Sequence, residues 1–378
     1  MKVALYTYST KPRGGVVHTL ALAEALADQG CRVTVFALGH GDSARFFRDV
    51  RAETRVFPFP PIAGEPIEAK IRRSIDTFAE ALENEPLERF DVHHAQDCIS
   101  ANSLHRLKEK GKIPFFLRTV HHLDDFTTPV LIECQNRSVM HPKAIITVSD
   151  YWRDILQREY GRSPVVIHNG VDKRFFAAPD RTADELAAYK GHRVLFTLGG
   201  IEPRKNTIAS LQAFAEIKRE LPEAVLLIGG GATLFDYRPY RAQFDATLER
   251  MPRDVREAVR LIPQPSDELV HQLFWRADVY LQPSVKEGWG LSVLEAMASR
   301  TPVVASHIQV FREFLRHEAN ALLVDPRRIR DLADGIYRVL TDHQLRERLT
   351  ANGYRTARAY TWDNAAVQHL HFYRSVLS

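Results

Sequence analysis

The stretch "ADVYLQPSVKEGWGLSVLEAMASRTPVVASH", Ala277 to His307, decides the fold. It opens on an apolar run without alternation (277–284) and turns a Gly-Trp-Gly corner. It then takes up a Leu/Ala helical pattern and returns to an apolar run at 302–307. Val- and Leu-rich runs that do not alternate are strands buried on both faces. A strand, a helix and a second strand in that order make a βαβ unit with parallel strands.

The same alternation extends to both sides. Upstream lie "KVALYTYS" (2–9), an Ala/Leu-rich helix (14–30) stopped by Gly30, "RVTVFAL" (32–38), "DVHHAQ" (91–96), "PFFLRTVHH" (114–122), "AIITVS" (144–149) and "PVVIHNG" (164–170). After a stretch without strand signal (171–192) the pattern restarts with "RVLFTLGG" (193–200), "AVLLIGGG" (224–231) and "VRLIP" (259–263), and "ALLVDP" (321–326) closes it. From Arg327 onward only helical spacing remains, broken near "YTWD" (360–363). A chain of 378 residues, 45% of them apolar, is too long for one core. The expectation is α/β throughout, in two doubly wound domains. Ligands of such sheets sit outside the carboxyl ends of the strands, so the residues just after each strand carry the chemistry.

Composition narrows the function. Charged residues make up 26% and the 20 prolines and 19 glycines are scattered, which excludes a disordered chain. A net charge of +4 permits an anionic small molecule but does not indicate nucleic-acid binding. Cys31, Cys98 and Cys134 are too few and too irregularly spaced for a disulfide frame or a metal site. The start reads as a strand and loop, not a signal peptide, and no apolar run approaches the roughly 20 residues of a membrane span. These features point to the cytoplasm. The segment 67–82 places Ile67, Ile71, Ile75, Phe78 and Leu82 on one helical face, with Lys70, Arg72 and Arg73 beside them. It reads as a helix packed on its own domain; contact of its basic face with a membrane surface is the alternative.

Two glutamates, Glu287 and Glu295, flank the glycine corner. Gly288 and Gly290 let a ligand approach the backbone. The amides of Leu291, Ser292 and Val293 then offer a helix N-terminus to a phosphate. A carboxylate beside it suits hydroxyls of ribose or a sugar. The competing reading makes Ser292–Glu295 a capping box, S-x-x-E, with no ligand role. In "GGIEPRKN" (199–206), Arg204 and Lys205 can hold a diphosphate and stabilise it as it leaves, before a helix that Asn206 can cap; a solvated turn is the plain alternative. Gly230 belongs to a glycine turn (227–234) that lacks the Lys-Ser/Thr of a P-loop. Gly14 and Gly15 make a similar turn that is not G-x-G-x-x-G, which counts against a dinucleotide dehydrogenase. His121 and His122 end a strand, and of two adjacent side chains one can face a cleft. "LDDF" (123–126) reads as a loop or a helix cap. Neither D-x-D, H-E-x-x-H nor C-x-x-C occurs, so no metal is expected.

The stretch "EGWGLSVLEAMASRTPVV" resembles the E-x7-E signature of the retaining glycosyltransferases of family four, which have the GT-B fold. "PRGGVVHTLALAEALADQGCRVTVF" is similar to their Gly-Gly loop and first helix, "TVHH" to their T-V-H-D strand end, "VIHNGVD" to their interdomain corner and "LGGIEPRKN" to their G-R-L-x-P-x-K-N loop. The resemblance spans the whole chain. It implies two Rossmann-like domains facing across a cleft: an acceptor-side domain (1–172), a nucleotide-sugar domain (173–360) and a last helix (361–378) returning to the first. It implies that Glu287 lies against the donor sugar, Glu295 binds the ribose, Lys205 and its basic neighbour hold the diphosphate, and His121 lies near the transferred sugar. The catalytic set is then Glu287, His121, Lys205 and Arg204. The donor set is Gly14, Gly15, Arg204, Lys205, Gly230, Gly288, Trp289, Gly290, Leu291, Ser292 and Glu295.

Departures from the family pattern are Gly200 where it has arginine, His122 where it has aspartate, Arg300 where it has glycine, and no Gly-Gly before Glu313. They bear on sugar and acceptor. The expected reaction moves a hexosyl group from a UDP- or GDP-sugar to an acceptor hydroxyl on a sugar, lipid or small molecule, with retention and without metal or other cofactor. A non-hydrolysing nucleotide-sugar 2-epimerase and a silent nucleotide-sugar-binding module are the alternatives.

Overall fold

The apolar runs of the first half become the strands of one parallel sheet. Residues 1–40, 45–180, 186–230 and 237–378 are described in the computed structural model of the protein. Part of the joining stretch (181–185) and most of the turn after Gly230 (231–236) lie outside them. The chain divides into one unit of Met1–Gly170 with Trp362–Ser378 and a second of Val171–Thr361.

In the first unit the order is β1 (Lys2–Thr7), α1 (Gly14–Asp28), β2 (Arg32–His40), β3 (Glu53–Phe59), α2 (Ile67–Glu83), β4 (Val92–Ala95), α3 (Cys98–Glu109), β5 (Leu117–Val120), α4 (Pro129–Met140), β6 (Ala144–Thr147), α5 (Asp150–Tyr160) and β7 (Val165–Val166). The sheet runs β3-β2-β1-β4-β5-β6-β7, so strand order reverses beside β1, between β1 and β4. β4, β5 and most of β6 are buried outright, which is why they read as unbroken apolar runs.

β3 carries no such signal. It is an edge strand, "ETRVFPF", mostly exposed and containing Pro58, and it pairs on one side only, with β2. An edge tolerates proline and polar residues that a central strand excludes.

α2 buries Ile71, Ile75, Phe78 and Leu82 within the unit. Its apolar stripe is therefore core. Arg73 is held by Glu65 at 2.7 Å and lies 3.9 Å over the Phe59 ring.

The second unit follows the restarted pattern: β8 (Arg193–Leu198), α6 (Thr207–Glu220), β9 (Ala224–Gly229), α7 (Arg238–Glu249), α8 (Arg253–Ala258), β10 (Val259–Ile262), α9 (Asp267–Arg276), β11 (Val279–Gln282), α10 (Leu291–Ala298), β12 (Val303–Ser306), α11 (Gln309–Arg312), β13 (Leu322–Val324), α12 (Ile329–Thr341) and α13 (His343–Ala359). The sheet order is β10-β9-β8-β11-β12-β13, all parallel, with the reversal between β8 and β11. The motif 277–307 is the β11–α10–β12 unit. The helical tail breaks at Tyr360–Thr361, where Thr361 bridges to Val171. α14 (Trp362–Leu377) then packs on α1 of the first unit. It buries Trp362, Ala366, His369 and Tyr373.

Candidate active site

The reversal of strand order in the second unit brings the ends of β8 and β11 side by side. The loop after β8 folds into a single turn, Pro203–Lys205, and Val285 N–H donates to Arg204 O at 2.9 Å, tying it to the loop after β11. Glu287 is 8% exposed and stands between the two loops. Its Oε1 accepts from Lys205 Nζ at 2.6 Å, Gln282 Nε2 at 2.7 Å and Ser284 Oγ at 2.8 Å, and its Oε2 accepts from Arg204 Nη1 at 3.3 Å. Burial alone would raise this carboxyl, but Lys205 and Arg204 hold it down at about 2. Glu287 is thus an ionised, buried anion with both cations already on it. Burial also lowers Lys205, against the pull of Glu287.

Glycines make this close packing feasible. Gly199 has φ +149°, and a Cβ there would lie 3.1 Å from Lys205 Cε. Gly230 has φ +87°, and its Cβ would lie 2.5 Å from Gly199 O, closer than any real contact. Asn206 has left-handed φ at the start of α6 and makes no side-chain cap. An N-cap needs extended backbone, which this left-handed φ is not, and the side chain turns away from the helix: its Nδ2 donates to Pro283 O (3.2 Å) and Pro326 O (2.7 Å), which fastens two other loops.

At the glycine corner the capping box does not form. α10 begins at Leu291, with Gly290 at the cap position and no side-chain cap. Ser292 is therefore the second residue of the helix, too far along to cap it, and its Oγ donates instead to Gln282 Oε1 at 3.4 Å. Val293 N–H is engaged by Gly290 O at 3.0 Å, so it is not offered to a ligand. The N–H groups of Leu291 and Ser292 have no partner among the described residues, leaving two donors at the positive end of α10. Gly288 is buried, and Gly290 has φ +131° with Phe311 2.9 Å from where a Cβ would sit. The Trp289 ring points inward. It is 2% exposed and packs on Phe314 (4.7 Å) and Tyr360 (5.3 Å), so only its backbone stays beside the corner.

Glu295 lies one turn into α10, half-buried, and its carboxylate accepts no hydrogen bond among the described residues. Burial pushes it up to about 7. Arg174 opposes the rise, and Asp267 and Asp172 add to it.

In the first unit, Gly14 and Gly15 open α1, and neither has positive φ. A Cβ on Gly14 meets nothing within 4 Å, and one on Gly15 meets only the His121 ring, at 3.6 Å. His121 packs edge-on against His18 (4.6 Å), which bonds Asn169 Oδ1 at 2.9 Å. Burial, with His122 adding, lowers His121 to about 3, so its ring is neutral; its buried Nε2 has no partner among the described residues. His122 takes a separate partner, Asp124, at 3.3 Å. The "LDDF" segment is a loop that precedes the Thr128 cap position of α4.

The second unit therefore joins Glu287, Lys205, Arg204, Gly230 and the start of α10, with Glu295 on the same helix. The first unit joins Gly14, Gly15 and His121. Sequence reading passed over Gln282, 1% exposed, which links Tyr280, Glu287 and Ser292. It also passed over Glu202, buried 3.2 Å from Arg204 Nε, and over His18. A glutamine ending an apolar strand just before the motif was the available signal for Gln282.

Comparison with known proteins gives the lineage. Glycosyl transferases group 1 match residues 180–356, and Glycosyltransferase Family 4 matches residues 12–175. A phosphatidyl-myo-inositol mannosyltransferase of Mycobacterium tuberculosis is 35% identical over 63% of this chain and 61% of its own length, so the match spans about three fifths of that relative. A D-inositol 3-phosphate glycosyltransferase of Nocardioides is 26% identical over 99% of this chain and 89% of its own. Among solved structures, a sucrose-phosphate synthase from Thermosynechococcus elongatus superposes with TM-score 0.82 at 22% identity, covering 100% of this chain and 99% of that one. Anabaena HepE in complex with UDP-glucose superposes with TM-score 0.78 at 19% identity, covering 99% of this chain and 100% of that one. With both halves matched in order and both sheets in place, the chain belongs to the family-four glycosyltransferases and has their GT-B fold.

Proposed function

We propose that the protein is a retaining, metal-independent glycosyltransferase that moves a hexosyl group from a UDP- or GDP-sugar to an acceptor hydroxyl. The observation that carries this is the buried Glu287 carboxylate, gripped by Lys205 and Arg204 beside the two unengaged amides that open α10. In this reading the diphosphate takes those amides and draws the two cations from Glu287. The freed carboxylate then faces the sugar. Charge building on the leaving diphosphate is met by Lys205 and Arg204, fixed groups that need no metal for that task. Glu295 accepts from the ribose hydroxyls. Gly14 and Gly15 serve the donor and His121 the transferred sugar, and the acceptor falls to the first unit.

The relatives include a mannosyltransferase and an inositol glycosyltransferase by name, so a polyol acceptor, free or on a lipid, fits the reading. Membrane contact, if the acceptor is a lipid, falls to the exposed Arg72, since Arg73 is engaged and the apolar face of α2 is core. The reaction is proposed to take place in the cytoplasm.

The test is incubation with UDP- and GDP-hexoses in excess EDTA, with and without a panel of sugars, inositols and phosphatidylinositol vesicles. Acceptor-dependent nucleotide release with a new α-linked product is expected from an α-linked donor. Epimerised donor without acceptor would establish the epimerase instead. Binding without turnover would establish a silent module, and turnover only after Mg or Mn is restored would remove metal independence.

A further inference from the structure

Two of the three cysteines, far apart in sequence, meet in the first unit. Cys98 opens α3 and Cys134 lies on α4, and the two helices pack on each other. Asn102 Nδ2 donates to both Cys98 O (2.7 Å) and Cys134 O (2.8 Å) and lies 3.5 Å from Cys134 Sγ. One amide nitrogen therefore clamps both cysteine backbones. The Cys98 thiol is the hydrogen-bonding neighbour of the Cys134 thiol, and both sit against the same apolar cluster with Ile71, Ile99 and Val130. Cys134 is buried, whereas Cys98 is half-exposed at its edge. Only one thiol of the pair meets solvent, and its partner waits behind it.

The pair lies between two clasps. Asp97, beside Cys98, accepts from Tyr8 N–H at 2.8 Å and so shapes the loop that leads to Gly14. Gln135, beside Cys134, bonds Asp124 through both its backbone groups (2.8 and 3.1 Å) and so shapes the loop that follows His121.

We propose that Cys98 and Cys134 are a peroxide-sensitive thiol pair that closes to an intramolecular disulfide and stiffens the loop after β5. The Cys98 thiolate attacks the O–O bond of hydrogen peroxide, forming an S–O bond and releasing hydroxide. The Cys134 thiolate then attacks the Cys98 sulfur. The S–S bond forms, the S–O bond breaks and a second hydroxide leaves. The two protons given up by the thiols convert both hydroxides to water, so two thiols are oxidised by two electrons and one peroxide is reduced. The hydrogen bond to the Cys98 thiol, and then burial, raise Cys134, which makes it the resolving thiol and not the one that meets the peroxide.

The experiment treats the full-length protein with hydrogen peroxide and reads intact mass, peptide maps and amide exchange. Expected are the loss of two hydrogen atoms, a cross-linked peptide pair carrying Cys98 and Cys134, Cys31 still open to alkylation, and slower exchange over residues 121–128, all reversed by dithiothreitol. Cys134→Ala should stop at a Cys98 sulfenic acid trapped by dimedone, and Cys98→Ser should show neither product. A cross-link through Cys31, a disulfide between chains, sulfinic acid in place of the disulfide, or unchanged exchange in the 121–128 loop would overturn the proposal.

Discussion

Glu287 shows how one carboxylate sets the state of a site. It pairs with both Lys205 and Arg204, the second of which Glu202 also holds. Glu287→Gln keeps the shape, strands the partly buried Lys205 and leaves Arg204 with Glu202 as its ion-pair partner, at a cost of about 3 kcal/mol. The variant should melt lower than the parent, gain more from added nucleotide diphosphate than the parent does, and lose turnover by orders of magnitude. Equal stabilisation of both proteins in a thermal-shift titration would show that the diphosphate does not take those cations. Lys205→Ala should weaken the nucleotide diphosphate by about 1.5–3 kcal/mol and leave the nucleoside almost unaffected, since a charged hydrogen bond is lost only with the phosphates. Titration calorimetry with both ligands decides this.

Glu295 makes a different prediction. Its carboxyl, raised to about 7, is half protonated near neutrality, and ribose hydroxyls donate best to the ionised form. Nucleotide binding should therefore release a proton at pH 6 but not at pH 8.5, readable as a dependence of binding heat on buffer ionisation enthalpy. Absence of that dependence would remove Glu295 from the ribose.

At the scale of elements, the glycine corners decide whether β8, β9 and β11 can end close together. Gly230 is the most constrained of them, with left-handed φ and the Gly199 carbonyl where a Cβ would go. Gly230→Ala must shift one loop or the other, costing roughly 2 kcal/mol or more in strain. Nucleotide-diphosphate affinity should fall with stability, because Gly199 carries the Lys205 stem. Gly14→Ala has open space around it, so melting should not change. Loss of melting temperature in the second variant but not the first would reverse this account.

Across the whole molecule the two units answer acid differently. In the first, burial lowers His18 and His94 well below the usual histidine value of 6.5, and lowers His121 to about 3 and His369 to about 4. A base whose folded value is depressed lends its full stability above the unfolded value, and that stability is lost as pH falls. Each such histidine then costs about 1.4 kcal/mol per pH unit below 6.5 until its own value is reached. In the second unit, Glu295 works the other way. Its folded value near 7 exceeds the ordinary 4.5, so mild acid stabilises it over that interval. Glu287 loses its contribution only from about 4.5 down through 2. Amide exchange at pH 5 should therefore show residues 1–170 and 362–378 opening well before 171–361. Simultaneous opening would contradict it.

The sequence by itself determined that this chain alternates strand and helix in two series, which strands are central, where Glu287, Glu295, Arg204 and Lys205 fall in the chain, and to which family it belongs. Those features are written in runs of a few residues, because burial on both faces and helix periodicity act locally. The edge strand β3 escaped because exposure on one side removes that signal. Only the tertiary structure decided which groups meet. Arg204 and Glu287 are 83 positions apart and touch because β8 and β11 are neighbours in the sheet. Cys98 meets Cys134 because α3 packs on α4. The choice of Gln282 over a capping role for Ser292, the inward turn of Trp289 and the use of Asn206 as a loop clasp depend on partners remote in sequence, and local pattern holds no record of them.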